Sequence, residues 1–361
     1  MRKEIILLAA GVLLITGCQS SDNNSKNENQ NQNQSQNEVG SEQTEPVSKD
    51  FFAMDTYMNI TAYGSDTDKV EQAVELAENK VKELDNLLST GIETSEINRL
   101  NENGHGEMSD TSMYLLEESL KISSKTDGAF NPVMYPLMEL WGFTSQNYHV
   151  ASDDEIAALL PLVNVEDIKY DTDKNTIEFN KEGMKIDFGG IAKGYTSDEV
   201  VKILKDNGIK SAFISLGGNV WVLGNKTDGS KWRVGIQNPD NTKEGYLGIL
   251  SVCDTAVITS GGYERYFEED GKVYHHILDP NTGKPADSDI KSVTIISRNG
   301  TLADGLSTAL FVCGLEKASQ IYRDSDNEFE AILLTQDDKM YVTEGITDSL
   351  ETDYDYEIIH K

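Results

Sequence analysis

Residues 185–208 read KIDFGGIAKGYTSDEVVKILKDNG. Lys185 to Phe188 predicts a short strand and Gly189-Gly190 a turn, with a helix from Lys193 to Asn207 and Gly208 as its cap. Glycines at a strand-to-helix turn let a ligand approach the backbone closely, and the helix N-terminus that follows favours phosphate. Lys193 adds a positive charge at the same place. The GxxxxGK[ST] spacing of a P-loop is absent, and so is GxGxxG. In a doubly wound sheet, strands and helices should alternate on both sides of such a unit, and here they do not.

Upstream, Phe51 to Tyr63 reads as one strand. Lys69 to Leu88 carries Val70, Val74, Ala77, Val81, Leu84 and Leu88 at helical spacing. Ser112 to Thr126 predicts a second helix, and Ser152 to Leu160 a short acidic one with Ser152 as N-cap. Ile168 to Phe179 predicts a hairpin around Asp173-Lys174-Asn175. Downstream lie mostly strands: Ala212 to Leu216, Val220 to Leu223, Trp232 to Gln237, Tyr246 to Val252, Ala256 to Thr259 and Lys291 to Ile296. A helix from Ala303 to Cys313 or Gly314 interrupts them, and Ala331 to Leu334 with Met340 to Thr343 predicts a last hairpin. The fold class expected is α+β with mainly antiparallel sheets and packed helices.

The N-terminal region has a different character. Arg2 and Lys3 precede an apolar run from Ile5 to Ile15. That is short of the roughly 20 apolar residues a membrane-spanning helix needs, but it suits a signal peptide. The ending Ile15-Thr16-Gly17-Cys18 resembles a bacterial lipobox, with cleavage before Cys18 and lipidation of its thiol. Two buried acyl chains hold a protein to a membrane where one does not. The expected organisation is a signal peptide over 1–17, an Asn/Gln-rich tether over 18–48 and one globular domain over 49–361. The tether is too polar to offset the entropy of ordering. The expected location is the extracytoplasmic face of the cell membrane.

The net charge of −31 argues against nucleic acid or anionic lipid as partners. Cys253 and Cys313, both in apolar stretches, read as free thiols rather than a disulfide. Three further segments gather polar chemistry beside apolar strands. Ser260 to Arg265 is followed by His275-His276-Ile277-Leu278 and the turn Asp279-Pro280-Asn281-Thr282-Gly283. Two adjacent histidines are notable where the whole chain has five. In Ala303 to Leu310, Asp304 and Thr308 share one helical face, a carboxylate beside a hydroxyl as magnesium prefers. Gly128 to Pro132 leads to Leu140 to Phe143, aromatics able to cover a flat ring or to build core.

Taken in order, these segments resemble the ApbE family of FAD:protein FMN transferases. Met54-Asp55-Thr56, Ser89, Ser95-Glu96, Arg99, Asn101, Gly128 to Asn131, Pro136-Leu137, Leu140 to Phe143, Asp187 to Tyr195, Ser215 to Asn219, the Ser-Gly-x-Tyr-Glu-Arg segment, His276 to Pro285 and Ala303 to Leu310 carry the likeness. It implies a two-lobed, T-fold-related architecture with FAD as substrate. It also implies Mg²⁺ against the pyrophosphate, held by Asp304, Thr308 and the Gly190 carbonyl with Ser307 assisting. FAD contacts fall on Met54, Ala129, Phe130, Asn131, Asp187, Lys193 and Leu278. His276 is the implied general base, and Asp279 is a conceivable orienting partner for it. The implied acceptor is a Ser or Thr hydroxyl on an exported protein, and the implied products are an FMN phosphoester and AMP. Three residues depart from the family pattern: Gly91 where an aromatic is common, Asn131 where Asp is common, and Gly190 where Ala is common. Hydrolysis of FAD to FMN and AMP would use the same residues, and a non-catalytic flavin-binding lipoprotein is the third reading.

Overall fold

The computed structural model describes residues 45–240 and 245–361. The signal sequence, Cys18 and most of the tether lie outside the described residues. A nine-stranded sheet forms the frame, in the spatial order β1 (Val47–Ala53), β2 (Thr56–Tyr63), β3 (Ser211–Leu216), β4 (Asn219–Leu223), β5 (Thr255–Gly261), β6 (Ile290–Ser297), β7 (Glu330–Thr335), β8 (Met340–Thr343) and β9 (Tyr356–Ile359). Spatial order equals chain order. Neighbours pair antiparallel except β8 and β9, which are parallel. The α+β, mainly antiparallel expectation therefore holds.

Side-chain alternation along these strands builds two cores. On one face Met58, Ile60, Ile214, Leu216, Ile258, Val293, Ile295 and Leu333 pack under four helices: α1 (Thr67–Leu88), α2 (Asp110–Lys125), α3 (Ala192–Asp206) and α4 (Gly300–Asp324). On the other face Phe213, Val220, Val222, Val257, Ile296 and Ile332 meet Trp232, Val234, Ile236, Leu247 and Leu250. Those partners belong to a small sheet formed by Trp232–Gln237, Tyr246–Val252 and Leu350–Glu351. A third cluster, with Leu137, Trp141, Phe143, Ile156, Phe267 and Leu278, makes a satellite lobe.

Several elements differ from the sequence-based expectation. Phe51 to Tyr63 is a hairpin rather than one strand, because Met54 and Asp55 both take positive φ (48° and 57°) and reverse the chain. Lys185 to Phe188 is not in a sheet. Its backbone finds other partners: the Asn101 side chain donates to the Ile186 carbonyl (2.8 Å) and accepts from the Ile186 N–H (2.7 Å), and the Asp187 N–H donates to the Pro132 carbonyl (2.8 Å). One amide side chain replaces a neighbouring strand, which satisfies a buried backbone equally well. The α4 helix runs on past Gly314, which breaks it with φ 77° and ψ 169°; Asp289 Oδ1 accepts the freed Leu315 N–H at 2.9 Å. The hairpin Tyr266–Glu269 with Lys272–His275 was unforeseen, and the hairpin expected to be last is followed by β9. Cys253 and Cys313 are free thiols, both half-buried.

The α3 and α4 helices meet at their N-terminal ends, backbone to backbone. A Cβ on Gly194 would lie 2.1 Å from the Gly300 carbonyl oxygen and 2.6 Å from Asp304 Cβ. Each helix also sends a carboxylate to the other. Asp304 Oδ2 accepts the Gly194 N–H at 2.8 Å. Asp198 Oδ1 accepts the Gly300 N–H at 2.8 Å, and its Oδ2 accepts the Thr301 N–H at 2.9 Å. Gly194→Ala must force this joint apart. We expect it to lower the unfolding free energy by about 1–3 kcal/mol or more, the usual cost of overpacking. Urea denaturation checks this, and an unchanged midpoint would contradict the contact.

Candidate active site

The first turn of α3 has no side-chain cap, since Ile191 occupies the N-cap position. The chain enters it from the Asp187-Phe188-Gly189-Gly190 turn, where Asp187 Oδ1 accepts the Gly189 N–H at 2.8 Å. Lys193 Nζ donates to the Gly189 carbonyl at 3.3 Å and so folds back over the turn. Gly190 abuts both Phe130 and α4: a Cβ there would stand 3.1 Å from the Phe130 ring and 3.8 Å from Thr308 Oγ1. Gly190 and Thr308 therefore lie side by side, and Asp304, one turn before Thr308 on α4, meets α3 at Gly194. Asp304 is 4% exposed, and the side-chain hydrogen bond it makes among the described residues uses Oδ2, from the Gly194 N–H. A carboxylate, a hydroxyl and a backbone carbonyl are hard oxygen donors of the kind Mg²⁺ takes, so these residues fit that ion. Among the described residues no three His, Cys, Asp or Glu side chains gather as a metal site. Ser307 is already occupied, with its hydroxyl 2.8 Å from Ser260 Oγ and donating to the Asp304 carbonyl at 2.8 Å. It ties α4 to the end of β5 rather than facing a ligand.

Two carboxyls beside this turn are held above their ordinary range. Burial raises Asp187, against the opposing charges of Lys193 and Arg265. Burial also pushes Glu264 up to about 7, with Lys193 opposing and Asp304 reinforcing the shift. Lys193 is the cation these groups share. Both carboxyl side chains are half-buried by surface exposure, and desolvation is the larger effect on each.

His276 stands opposite. Its backbone N–H and its Nδ1 both face the Arg265 carbonyl, at 3.0 and 3.1 Å. A carbonyl only accepts, so Nδ1 carries the proton and Nε2 keeps its lone pair. Asp279 plays no part in this. Its Oδ1 accepts from Asn281 N and Nδ2, capping its own turn. Arg265 is fixed in turn by donating to the Phe143 carbonyl at 3.0 Å. Burial, with the positive Arg265 adding to it, pushes His276 down to about 3. The segment after it is anchored in the satellite lobe, where Trp141 Nε1 donates to the Gly283 carbonyl at 2.9 Å and Leu278 is buried.

The remaining expected contacts divide. Phe130 is buried with its ring against Gly190, and Ala129 precedes it at the same surface. Half-buried Met54 reaches the same helix end, its sulfur accepting from Thr196 Oγ1 at 3.8 Å. Asn131, by contrast, spends its side chain on the Val163 carbonyl (2.7 Å) and the Val133 N–H (2.8 Å). Its amide holds the loop, so any ligand contact there would fall to the backbone. Trp141 and Phe143 are lobe core, with 2% and 0% exposure, not a cover for a flavin ring.

Residues 54–333 match the ApbE family. The chain belongs to the ApbE family. The FAD:protein FMN transferase of Treponema pallidum is 36% identical over 253 residues, which is 66% of this chain and 70% of that one. The ApbE protein of Thermotoga maritima superposes with a TM-score of 0.78 at 31% identity, covering 84% of this chain and 99% of its own. The flavin transferase ApbE of Vibrio cholerae gives 0.76 at 27% identity, covering 85% and 99%. The ApbE fold accounts for the observed sheet and helices, and the matched segment spans every site residue placed above.

Sequence reasoning assigned no role to Glu264 or Asp198. Glu264 stands in a quoted motif, but only its burial reveals it. Asp198 has its partners 23 to 103 positions away, at Trp221, Gly300 and Thr301, and no local motif. The imidazole geometry yields a pH prediction. Unfolded histidine takes a proton near pH 6.5, whereas folded His276 resists until about pH 3. Between those values the unfolded state binds the extra proton, so this group weakens folding progressively as pH falls through the window. NMR of the imidazole should show no titration between pH 8 and 5, and a midpoint near 6.5 would refute the assignment.

Proposed function

We propose that this protein transfers FMN from FAD to a Ser or Thr hydroxyl of an exported acceptor protein, with Mg²⁺ required and AMP released. The observation that carries the reading is the placing of Gly190 and Thr308 side by side at the N-terminal end of α3, where Asp304 already holds the Gly194 N–H, beside Lys193. In a chain of net charge −31, such a place is where a diphosphate can be held. Mg²⁺, when bound, would neutralise the diphosphate charge that builds up during attack.

The chain's own residues supply the rest. Lys193 and the helix N-terminus orient the diphosphate. Phe130 closes the floor under Gly190. The acceptor hydroxyl oxygen forms a bond to the FMN-side phosphorus, the bridging P–O bond breaks, and AMP leaves with the electron pair. His276 Nε2 takes the hydroxyl proton. An imidazole held near pKa 3 is a weak base, so it receives that proton as the new P–O bond makes the hydroxyl acidic, rather than beforehand. The fixed neutral tautomer keeps the lone pair presented throughout the physiological range.

Water in place of the acceptor would give FMN and AMP through the same residues, and incubation with FAD and Mg²⁺ separates the outcomes. Covalent flavin fluorescence on an acceptor domain, absent when its Thr is changed to Val, supports transfer. AMP release undiminished without acceptor supports hydrolysis, and FAD left intact supports a binder. Asp304→Ala, or EDTA with the unaltered protein, should lower turnover by roughly 10²-fold or more, and full turnover in either case would remove the metal from the reaction. His276→Asn should lose roughly 10²–10⁴-fold in transfer while still retaining FAD.

The location is part of the same proposal. Cleavage before Cys18 and lipidation of its thiol would hold the enzyme on the extracytoplasmic face, with its acceptors there. Labelled fatty acid should enter the protein and be lost in Cys18→Ser; label retained in that variant would sink the anchor.

A further inference from the structure

The carboxylate of Asp198 accepts four hydrogen bonds, none from a cation. Oδ1 takes the Gly300 N–H (2.8 Å) and Trp221 Nε1–H (3.1 Å); Oδ2 takes the Thr301 N–H (2.9 Å) and Thr301 Oγ1–H (2.9 Å). A half-buried carboxylate without a counter-ion is costly unless its acceptor sites are filled, and here they are. Burial still raises its pKa against those donors. The cap of α4 is supplied elsewhere: Asn299 accepts the Leu302 N–H through its side chain, at 2.9 Å. Asp198 is therefore not the ordinary N-cap. It is a second anchor on the same turn, reaching from α3, and it fixes how far α4 is advanced and rotated against α3.

That setting has one functional consequence. Asp304 lies one turn beyond Gly300, and its Oδ2 is already committed to Gly194 on α3. The place of that carboxylate then depends on where α4 sits relative to Gly194. Nothing else on α3 reaches the first amides of α4 as Asp198 does. The α4 helix is also held at Ser307 by Ser260, but that contact acts one turn further along, at a flexible hydroxyl pair.

We propose that Asp198 is a positioning residue for the divalent-cation site: by holding the Gly300 and Thr301 amides it sets the register of α4 against α3 and so the place of the Asp304 carboxylate, one turn before Thr308. The inference rests on the magnesium reading above. Partners behind a metal's direct ligands commonly change its affinity by roughly 10–100-fold when removed.

The test uses the full chain, with Mg²⁺ as the probe, titrated by calorimetry and by the Mg²⁺-dependent rise in melting temperature. Asp198→Ala should weaken Mg²⁺ binding by roughly 10–100-fold. Thr301→Val removes one of the four donors at nearly constant volume and should weaken it by a few-fold. Asp198→Asn should fall between Asp198→Ala and the unaltered protein, since one oxygen remains to accept but an NH₂ then faces a donor. FAD binding in EDTA should be unchanged in all three. In turnover the loss should appear in the Mg²⁺ concentration needed, with kcat recovered at high Mg²⁺, a rescue that general loosening of the fold would not give. Wild-type Mg²⁺ affinity in a folded Asp198→Ala would overturn the proposal. Should that variant not fold, Thr301→Val decides: unchanged Mg²⁺ affinity there overturns it equally. Failure of the unaltered protein to bind Mg²⁺, or binding undiminished in Asp304→Ala, would instead overturn the underlying magnesium reading.

Discussion

Two helices exchange carboxylates at their N-terminal ends, and the candidate site depends on that exchange. Asp304 of α4 holds the Gly194 amide of α3, and Asp198 of α3 holds the Gly300 and Thr301 amides of α4. Backbones can approach this closely only because both crossing residues are glycine. Each contact sets a negative charge at the positive end of a helix dipole, where it is stabilised. The joint lies where chain from the middle of the sequence meets chain from its last quarter. Gly190 and Thr308 can lie side by side only if it holds.

Around the joint the site is supported by backbone more than by paired side chains. A carbonyl sets the tautomer of His276, and the Gly189 carbonyl receives Lys193. An asparagine side chain stands in for a strand next to Ile186. This economy of opposite charges leaves Asp187 and Glu264 poorly compensated, and burial keeps both above the usual carboxylate range. Under the proposed magnesium-dependent reading, a cation arriving with the substrate would relieve both the acidity of the chain and the hindered ionisation of these two carboxyls.

Much of this was legible in the sequence where the signal is local. Period-3.6 spacing gave α1, the N-cap residue Ser152 marked its helix start, and the i, i+4 relation of Asp304 and Thr308 put both on one face. Signals that depend on tertiary partners were not legible. Nothing local shows that Met54 and Asp55 adopt positive φ, or that Asn101 replaces a strand beside Ile186. The hairpin ending at His275 was legible in principle: Asp270-Gly271, with φ of 52° and 75°, is a strong turn dipeptide that went unread. Asp279 is near His276 in sequence but caps its own turn, whereas the Arg265 carbonyl holds the histidine from across that same hairpin.

Spatial order in the large sheet matches chain order, and this bears on how the protein comes to be folded. From β3 to β8 each strand needs only its predecessor, so that part can assemble by successive short closures. The β2–β3 pairing is different, since residues 64–210 must be looped out before it can form, and long closures are slow. Gly190 and Lys193 lie on that loop, and Asp304 and Thr308 lie on α4. A chain emerging from its N-terminus therefore carries α3 without its partner until residues beyond 300 appear. Ligand capture should thus be among the last properties acquired as the chain folds.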